Sequence, residues 1–266
     1  MSARLLLTLC LLPALGLGAG QAQPQNPQAV FDQAQRALLA GDYAKAEQGF
    51  RTVLELDPLS AAAYSNLGVV YLRTDRLDSA IESFEAARKL APEVAGIDLN
   101  LGLAYYRKQA YEQAIPYFDR VLQAYPDHEQ ARFLKGMCYF VLSDYENTVR
   151  SLEPLYGQEK SNLDFLFVIG ICYGKLKREA DSENAFQQLI RVGGDTPHMH
   201  LLMGKAYLDL YVHQKAKDEL EKAVAGDPKL PFAHFNLGVV FQRLGMMEEA
   251  GKEFDLEMAI TPNEPW

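Results

Sequence analysis

Residues 61–94, AAAYSNLGVVYLRTDRLDSAIESFEAARKLAPEV, are one copy of a unit that recurs along most of the chain. The glycine of this copy belongs to a column of small residues spaced by 34 residues, which consists of Ala34, Gly68, Gly102, Gly136, Gly170, Gly204 and Gly238. A period of this length, held in phase without insertions, indicates stacked copies of one small unit rather than one globular core. Such a chain is expected to act through a surface rather than a catalytic pocket.

The apolar pattern predicts two helices in each unit. Tyr64, Leu67, Gly68 and Tyr71 follow the i, i+3, i+4, i+7 spacing of one helical face. A polar break follows, and a second apolar stripe is formed by Leu77, Ala80, Ile81, Phe84 and Ala87. Proline cannot continue the second helix, so the chain must turn at Pro92. One pair of helices buries too little apolar surface to offset its ordering entropy, so each unit needs its neighbours.

The other columns keep the same phase. Five units close with a proline, at Pro58, Pro92, Pro126, Pro228 and Pro262. Counting back from these prolines places the unit starts at residues 27, 61, 95, 129, 163, 197 and 231.

This pattern resembles the tetratricopeptide repeat (TPR) family over residues 27–264. The resemblance implies an all-α, right-handed superhelical solenoid of seven helix-turn-helix repeats. It also implies that the first helix of each pair lines a concave groove, which in this family usually holds a peptide or a partner protein.

The first residues follow a different pattern. Arg4 precedes the apolar stretch 5–12, and small residues lead to Ala22, which is typical of a secretory signal peptide. We therefore expect residues 1–22 to be removed on export, residues 23–26 to be a disordered linker, and the protein to be periplasmic or secreted. A retained membrane anchor is the alternative, although the apolar stretch is short for a bilayer.

Composition and motifs argue against several function classes. The net charge of −9 provides no basic stripe for nucleic acid and disfavours an anionic membrane surface. The sequence lacks a phosphate-binding glycine loop and an HExxH motif, so we expect no enzyme activity, no cofactor and no metal. A metal site of His198, His200, His213 and His234 is the alternative, but the ligands would have to converge on one point. Cys138 and Cys172 occupy the same position in adjacent units and are expected to be buried thiols, with a disulfide as the alternative.

The first helices carry apolar residues on the side that should face away from the second helices. Counting from the unit start, this side holds positions 2, 5, 9 and 12, where a surface helix would normally be polar. The predicted partner-binding groove is Asn66, Leu99, Asn100, Leu103, Tyr106, Phe133, Met137, Phe140, Phe167, Ile171 and Leu201. The two asparagines resemble the family's asparagine that binds a peptide backbone. So long an apolar strip is more than soluble monomers usually leave bare.

Three interpretations of this strip remain open. It holds an apolar peptide or amphipathic helix of a partner protein, it is filled within the protein's own assembly, as in a homodimer, or it is a substrate channel of an enzyme. The absence of an acid/base constellation disfavours the third. Cell-envelope assembly, secretion or export is the expected process by analogy with exported relatives.

Two further predictions concern the C-terminal end of the repeat array and an irregularity within it. Met247, Met258, Ile260 and Trp266 are expected to form a C-terminal docking edge, because the last unit of a solenoid leaves one side open. Pro154 is expected to shorten the second helix of the fourth unit, and a hinge is placed at residues 154–162.

Overall fold

The computed structural model describes residues 26–262, and within them all regular secondary structure is helical. The helices are α1 (Pro27–Leu39), α2 (Tyr43–Leu56), α3 (Ala61–Arg73), α4 (Leu77–Leu90), α5 (Ala95–Arg107), α6 (Tyr111–Ala124), α7 (Glu129–Val141), α8 (Tyr145–Leu152), α9 (Tyr156–Glu159), α10 (Leu163–Lys175), α11 (Glu179–Gly193), α12 (Pro197–Asp209), α13 (His213–Gly226), α14 (Ala233–Arg243) and α15 (Met247–Ile260). The predicted signal peptide and Trp266 lie outside the described residues.

The long helices pack as consecutive antiparallel pairs, from α1 with α2 to α14 with α15. The second helix of one pair then packs on the first helix of the next, so the pairs stack. This arrangement confirms the all-helical solenoid predicted from the 34-residue period.

Each pair closes around the small-residue column. A Cβ atom added at Gly102 would lie 2.6 Å from Cε1 of Phe118, and one added at Gly68 would lie 2.6 Å from Cε1 of Phe84. Both phenylalanines are fully buried. The absence of a side chain on the first helix therefore lets the aromatic ring of the second helix reach its backbone.

The fourth pair is irregular at its proline. Helix α8 ends at Leu152, a 3₁₀ turn covers Glu153–Leu155, and α9 adds one further turn before α10. Pro154 lies inside that 3₁₀ turn, so the predicted shortening of the helix is confirmed.

The segment 154–162, where a hinge is predicted, is packed against the core on both sides. Leu155 is buried in a core cluster that also contains Leu152 and Phe165, on either side of the segment. The ring of Tyr156 packs edge-on against Phe165, with centroids 5.9 Å apart. A segment anchored at both ends in one core is not a point of easy bending.

Cys138 and Cys172 are both fully buried and unpaired, as predicted. Within the part of the chain that the structure describes, no helix is both long and apolar enough to cross a membrane.

Candidate functional site

The predicted groove residues lie on the first helices of units two to six. We call the apolar ones the groove strip: Leu99, Leu103 and Tyr106 on α5, Phe133, Met137 and Phe140 on α7, Phe167 and Ile171 on α10, and Leu201 on α12. On each helix that carries more than one of them, their spacing of three or four residues places them on one side. The strip therefore has members on four successive first helices.

The strip is less exposed than the sequence led us to expect. Every member except Ile171 is half-buried, and Ile171 is only 4% exposed. Phe133, Met137 and Phe167 pack against the core cluster that fills units four to seven. Adjacent first helices also touch one another, for example α5 with α7. Each strip side chain thus uses part of its surface to join neighbouring units, and Ile171 is not available to a partner.

Tyr106 illustrates this dual environment. Its ring packs edge-on against Tyr111, with centroids 5.6 Å apart. Burial raises the pKa of the Tyr106 hydroxyl above its ordinary value of 10.0. What remains exposed along the strip is the edges of aromatic and aliphatic side chains, a surface suited to apolar contact.

Asparagines border the strip. Asn66 donates from Nδ2 to the carbonyl oxygen of Ala62 at 2.9 Å, and Asn236 donates likewise to that of Phe232 at 2.6 Å. Asn100 is half-buried beside Leu99 in the chain. The amide oxygens of Asn66 and Asn236 make no hydrogen bond within residues 26–262, so each is free to accept one from a bound backbone.

A polar pocket that the sequence analysis missed lies at the end of this face, between α12 and α14. It measures about 330 Å³ and is lined by Lys205, Leu208, Tyr211, Asn236, Val239 and Arg243, among others. The signal for it was present in the sequence, because Lys205 is the single charged residue at positions 5, 9 and 12 of the seven units.

A larger pocket of about 600 Å³ lies where the turns of units five and six meet. Its polar groups are paired with each other: the Tyr207 hydroxyl donates to Glu183 Oε2 at 3.1 Å, and Lys215 contacts the same carboxylate oxygen at 2.5 Å. Burial raises the pKa of Tyr207. These are the contacts of an ion-pair network that joins two units rather than of a reactive centre.

Two of the four histidines considered as metal ligands bond to acidic side chains. His200 is buried and bonds through Nδ1 to Glu219 and through Nε2 to Asp195, both at 2.6 Å. His234, one unit later, bonds through Nδ1 to Glu253 at 2.5 Å. In residues 26–262 no three potential metal-ligating side chains lie close enough to hold an ion.

The C-terminal edge is exposed in the part that the structure covers. Met247 is 64% and Met258 47% exposed, whereas Ile260 is half-buried. Trp266, the fourth predicted member, lies outside the described residues.

Comparison with known proteins agrees with this architecture. Two family models described as tetratricopeptide repeat match residues 31–95 and 74–136, and a model described as anaphase-promoting complex, cyclosome, subunit 3 matches residues 107–189. No curated protein gives a significant match.

Solved structures share the fold at low sequence identity. A tetratricopeptide repeat protein from Parabacteroides merdae is 18% identical, with a TM-score of 0.62 over 90% of this chain and 94% of its own. The C-terminal part of a TPR repeat-containing protein from Cytophaga hutchinsonii is 14% identical, with a TM-score of 0.68 over 88% and 96%. PilW, a widely conserved type IV pilus biogenesis factor, is 21% identical, with a TM-score of 0.57 over 82% and 99%. With its period, paired helices and matching family models, the chain is a member of the tetratricopeptide repeat family.

Proposed function

We propose that this protein is a non-enzymatic interaction scaffold whose groove strip holds an apolar peptide or amphipathic helix of a partner protein. The observation that carries the proposal is that half-buried apolar side chains of the strip occur on four successive first helices, α5, α7, α10 and α12. Amphipathic helices dock through an apolar face into such grooves, and the flexible side chain of Met137 adapts to varied partners. Free amide oxygens of Asn66 and Asn236 add acceptors at the border of the strip.

Site-specific crosslinking tests the position of the partner. Phe140, on the strip, is replaced by p-benzoylphenylalanine, and the matched control carries the same residue at Tyr125, which is 59% exposed and lies in a turn between units. We expect a discrete crosslinked partner from position 140 and none from position 125. A crosslink only to a second copy of this chain would favour the alternative, in which the strip is filled within the protein's own assembly.

A substitution tests the contribution of the strip. Phe133→Ser is expected to weaken capture of the crosslinked partner about tenfold or more, because an aromatic anchor is lost from the interface. Leu59→Ser, at a residue that is 75% exposed and away from the strip, is the control. Circular dichroism separates the two roles of Phe133, since loss of helicity would identify it as a core residue.

We further propose that the scaffold works outside the cytoplasm, in envelope assembly, secretion or export. The leader-like pattern of residues 1–22 supports this location, and the fold similarity to PilW, a pilus biogenesis factor, is compatible with it. Mass spectrometry of the protein from its natural host is expected to find Gln23, or its cyclised form, at the N-terminus. A membrane-bound product that retains Met1 would contradict the location.

A further inference from the structure

The groove strip changes character at unit six. Positions 5 and 9 hold Phe133 and Met137 in unit four and Phe167 and Ile171 in unit five, but Leu201 and Lys205 in unit six. In unit seven the apolar character returns with Phe235 and Val239. A single lysine is therefore placed within an otherwise apolar face, with apolar residues on both sides of it.

The two cationic side chains of the pocket, Lys205 and Arg243, have no counter-ions among the described residues. Lys205 and Arg243 are exposed, both line the 330 Å³ pocket, and neither makes an ion pair or hydrogen bond within residues 26–262. The nearest acid in the pocket wall, Asp209, lies 3.9 Å from Lys175 and 72% of its side chain is exposed. The pocket thus presents two unpaired positive charges in a chain whose net charge is −9.

Other polar groups of the pocket are also incompletely bonded. Nδ1 of His213 is buried in the wall without a hydrogen-bond partner. Asn236 uses one hydrogen of its amide nitrogen within α14, so the second hydrogen remains available to donate to a bound group. Buried polar atoms are usually paired in folded proteins, so an unpaired one in a pocket wall is a feature that requires explanation.

We infer that the pocket between α12 and α14 receives the carboxylate of an acidic side chain, Asp or Glu, within the apolar segment held on the groove strip. This inference rests on the proposed function and specifies the partner: an apolar segment with an acid at one end of the contact. Lysine and arginine together form charge-assisted hydrogen bonds with a carboxylate. Because Phe235 on α14 is apolar and is not among the residues that line the pocket, the apolar face extends beyond the pocket. The bound segment therefore continues past the acid, which favours an internal side chain over a terminal carboxylate.

The charge contact would also fix the direction of the bound segment. An apolar strip alone discriminates weakly between the two orientations of a bound helix. A charge pair at one end can form in only one of these orientations. The rest of the strip, around Phe133 and Phe140, would supply most of the buried apolar area.

Synthetic peptides test the inference by fluorescence anisotropy on the full chain. The probe is an amphipathic peptide of leucine, phenylalanine and alanine, acetylated and amidated at its ends, with two adjacent glutamates. A matched control peptide replaces both glutamates by glutamine. A third peptide carries glutamine and has a free C-terminal carboxylate. We expect the glutamate peptide to bind about tenfold more tightly than the glutamine peptide at low salt, and the difference to shrink as salt is added.

Variants of the protein test whether the pocket causes the preference for the glutamate peptide. Lys205→Gln combined with Arg243→Gln is expected to bring the glutamate peptide to the affinity of the glutamine peptide and to leave the glutamine peptide unchanged. Lys177→Gln, at an exposed lysine in the turn between α10 and α11, is the control and should preserve the preference.

The outcomes separate this inference from the proposed function. Equal binding of the two amidated peptides to the native protein would overturn the acidic-side-chain site while leaving the apolar groove intact. Preference for the free-carboxylate peptide alone would overturn it in favour of a terminal carboxylate. If no peptide binds, and position 140 yields no crosslink to another protein, the proposed function itself fails.

Discussion

At the scale of single residues, the contact between the two helices of a unit depends on a missing side chain. Gly102 faces the ring of Phe118, and the same relation links Gly170 with Phe186 and Gly238 with Phe254. The small-residue column was recognisable in the sequence because it recurs in phase with the 34-residue unit. Its role in helix packing could be inferred since the contact is local and recurs from pair to pair.

The first prediction tests this close approach. Gly102→Ala places a Cβ atom 2.6 Å from a fully buried phenylalanine ring, so we expect it to lower the free energy of unfolding by about 1–3 kcal/mol. Gly96→Ala, in the first turn of the same helix and with open space around the added atom, should be neutral or stabilising by up to about 1 kcal/mol. Urea denaturation measures both. Equal stability of the two variants would contradict the packing argument.

The second prediction concerns the buried thiols. Burial raises the pKa of Cys138 and of Cys172 from the ordinary value of 9.0 to about 12. At pH 8 the reactive thiolate is then on the order of one molecule in ten thousand. In a Cys10→Ser background, we expect Ellman's reagent to label neither cysteine in the native protein and both after denaturation.

The direction of the pKa shift also predicts how the stability of the protein depends on pH, which unfolding measurements at several pH values would test. A folded-state pKa above the unfolded value favours folding at lower pH, so this contribution to stability is lost as pH rises from about 9 toward 12. Rapid labelling of the native protein at pH 8 would show that the thiols are more accessible than their burial indicates.

At the scale of the helix, α14 begins in an unusual way. Its N-cap residue, Phe232, has φ of 68° and provides no capping side chain. The missing acceptor comes from α15, where Glu257 accepts hydrogen bonds from the backbone N–H groups of Phe232 at 2.8 Å and Phe235 at 3.1 Å. A carboxylate at a helix N-terminus is also favoured by the helix dipole.

Sequence analysis did not identify this cap, although its signal is visible. Glu257 is only 1% exposed and stands at a position where the other units carry the buried apolar residues Val53, Ala87, Val121, Leu155, Leu189 and Ala223. An acid in an apolar column requires a buried partner, but the partner is a backbone whose position only the fold reveals.

The third prediction tests the cap. Glu257→Ala leaves two N–H groups of α14 without their acceptor and is expected to lower the free energy of unfolding by about 2–3 kcal/mol. Glu257→Gln keeps one acceptor oxygen and should cost less. Glu249→Ala, at an exposed position of the same helix, serves as the control. A loss no larger for Glu257→Ala than for Glu249→Ala would exclude a capping role.

At the scale of the whole molecule, the sequence predictions agree with the structure where they rest on local patterns. They differ from it where they depend on contacts between units. Helix pairs and buried cysteines follow from periodicity. The exposure of the strip did not, because Phe133 packs against the core cluster of units four to seven and Ile171 belongs to that cluster. The pocket at Lys205 likewise needs α12 and α14 to be brought together. The hinge at 154–162 stays a prediction, which the packing of Leu155 and Tyr156 across the irregular segment disfavours.

The last prediction concerns the end of the stack. In α13, Val224 packs against the following unit at Leu230 and Ala233. The equivalent residue of α15 is Met258, which is 47% exposed because no further helix follows within the described residues. Met247 lies about three turns away on the same side of α15, and Gly251 between them has open space around it. We expect this apolar side to pair with a second copy, so that sedimentation shows association rising with concentration.

Met258→Glu should suppress this association by placing a charge in the apolar contact. Leu59→Glu, which adds the same charge at an exposed residue in the turn after α2, should not. The result also bears on the groove, since a dimer built through α15 leaves α5, α7 and α10 open to a different protein. A monomer at every concentration tested would contradict self-pairing through α15, and equal suppression by both variants would indicate a general charge effect rather than a contact at Met258.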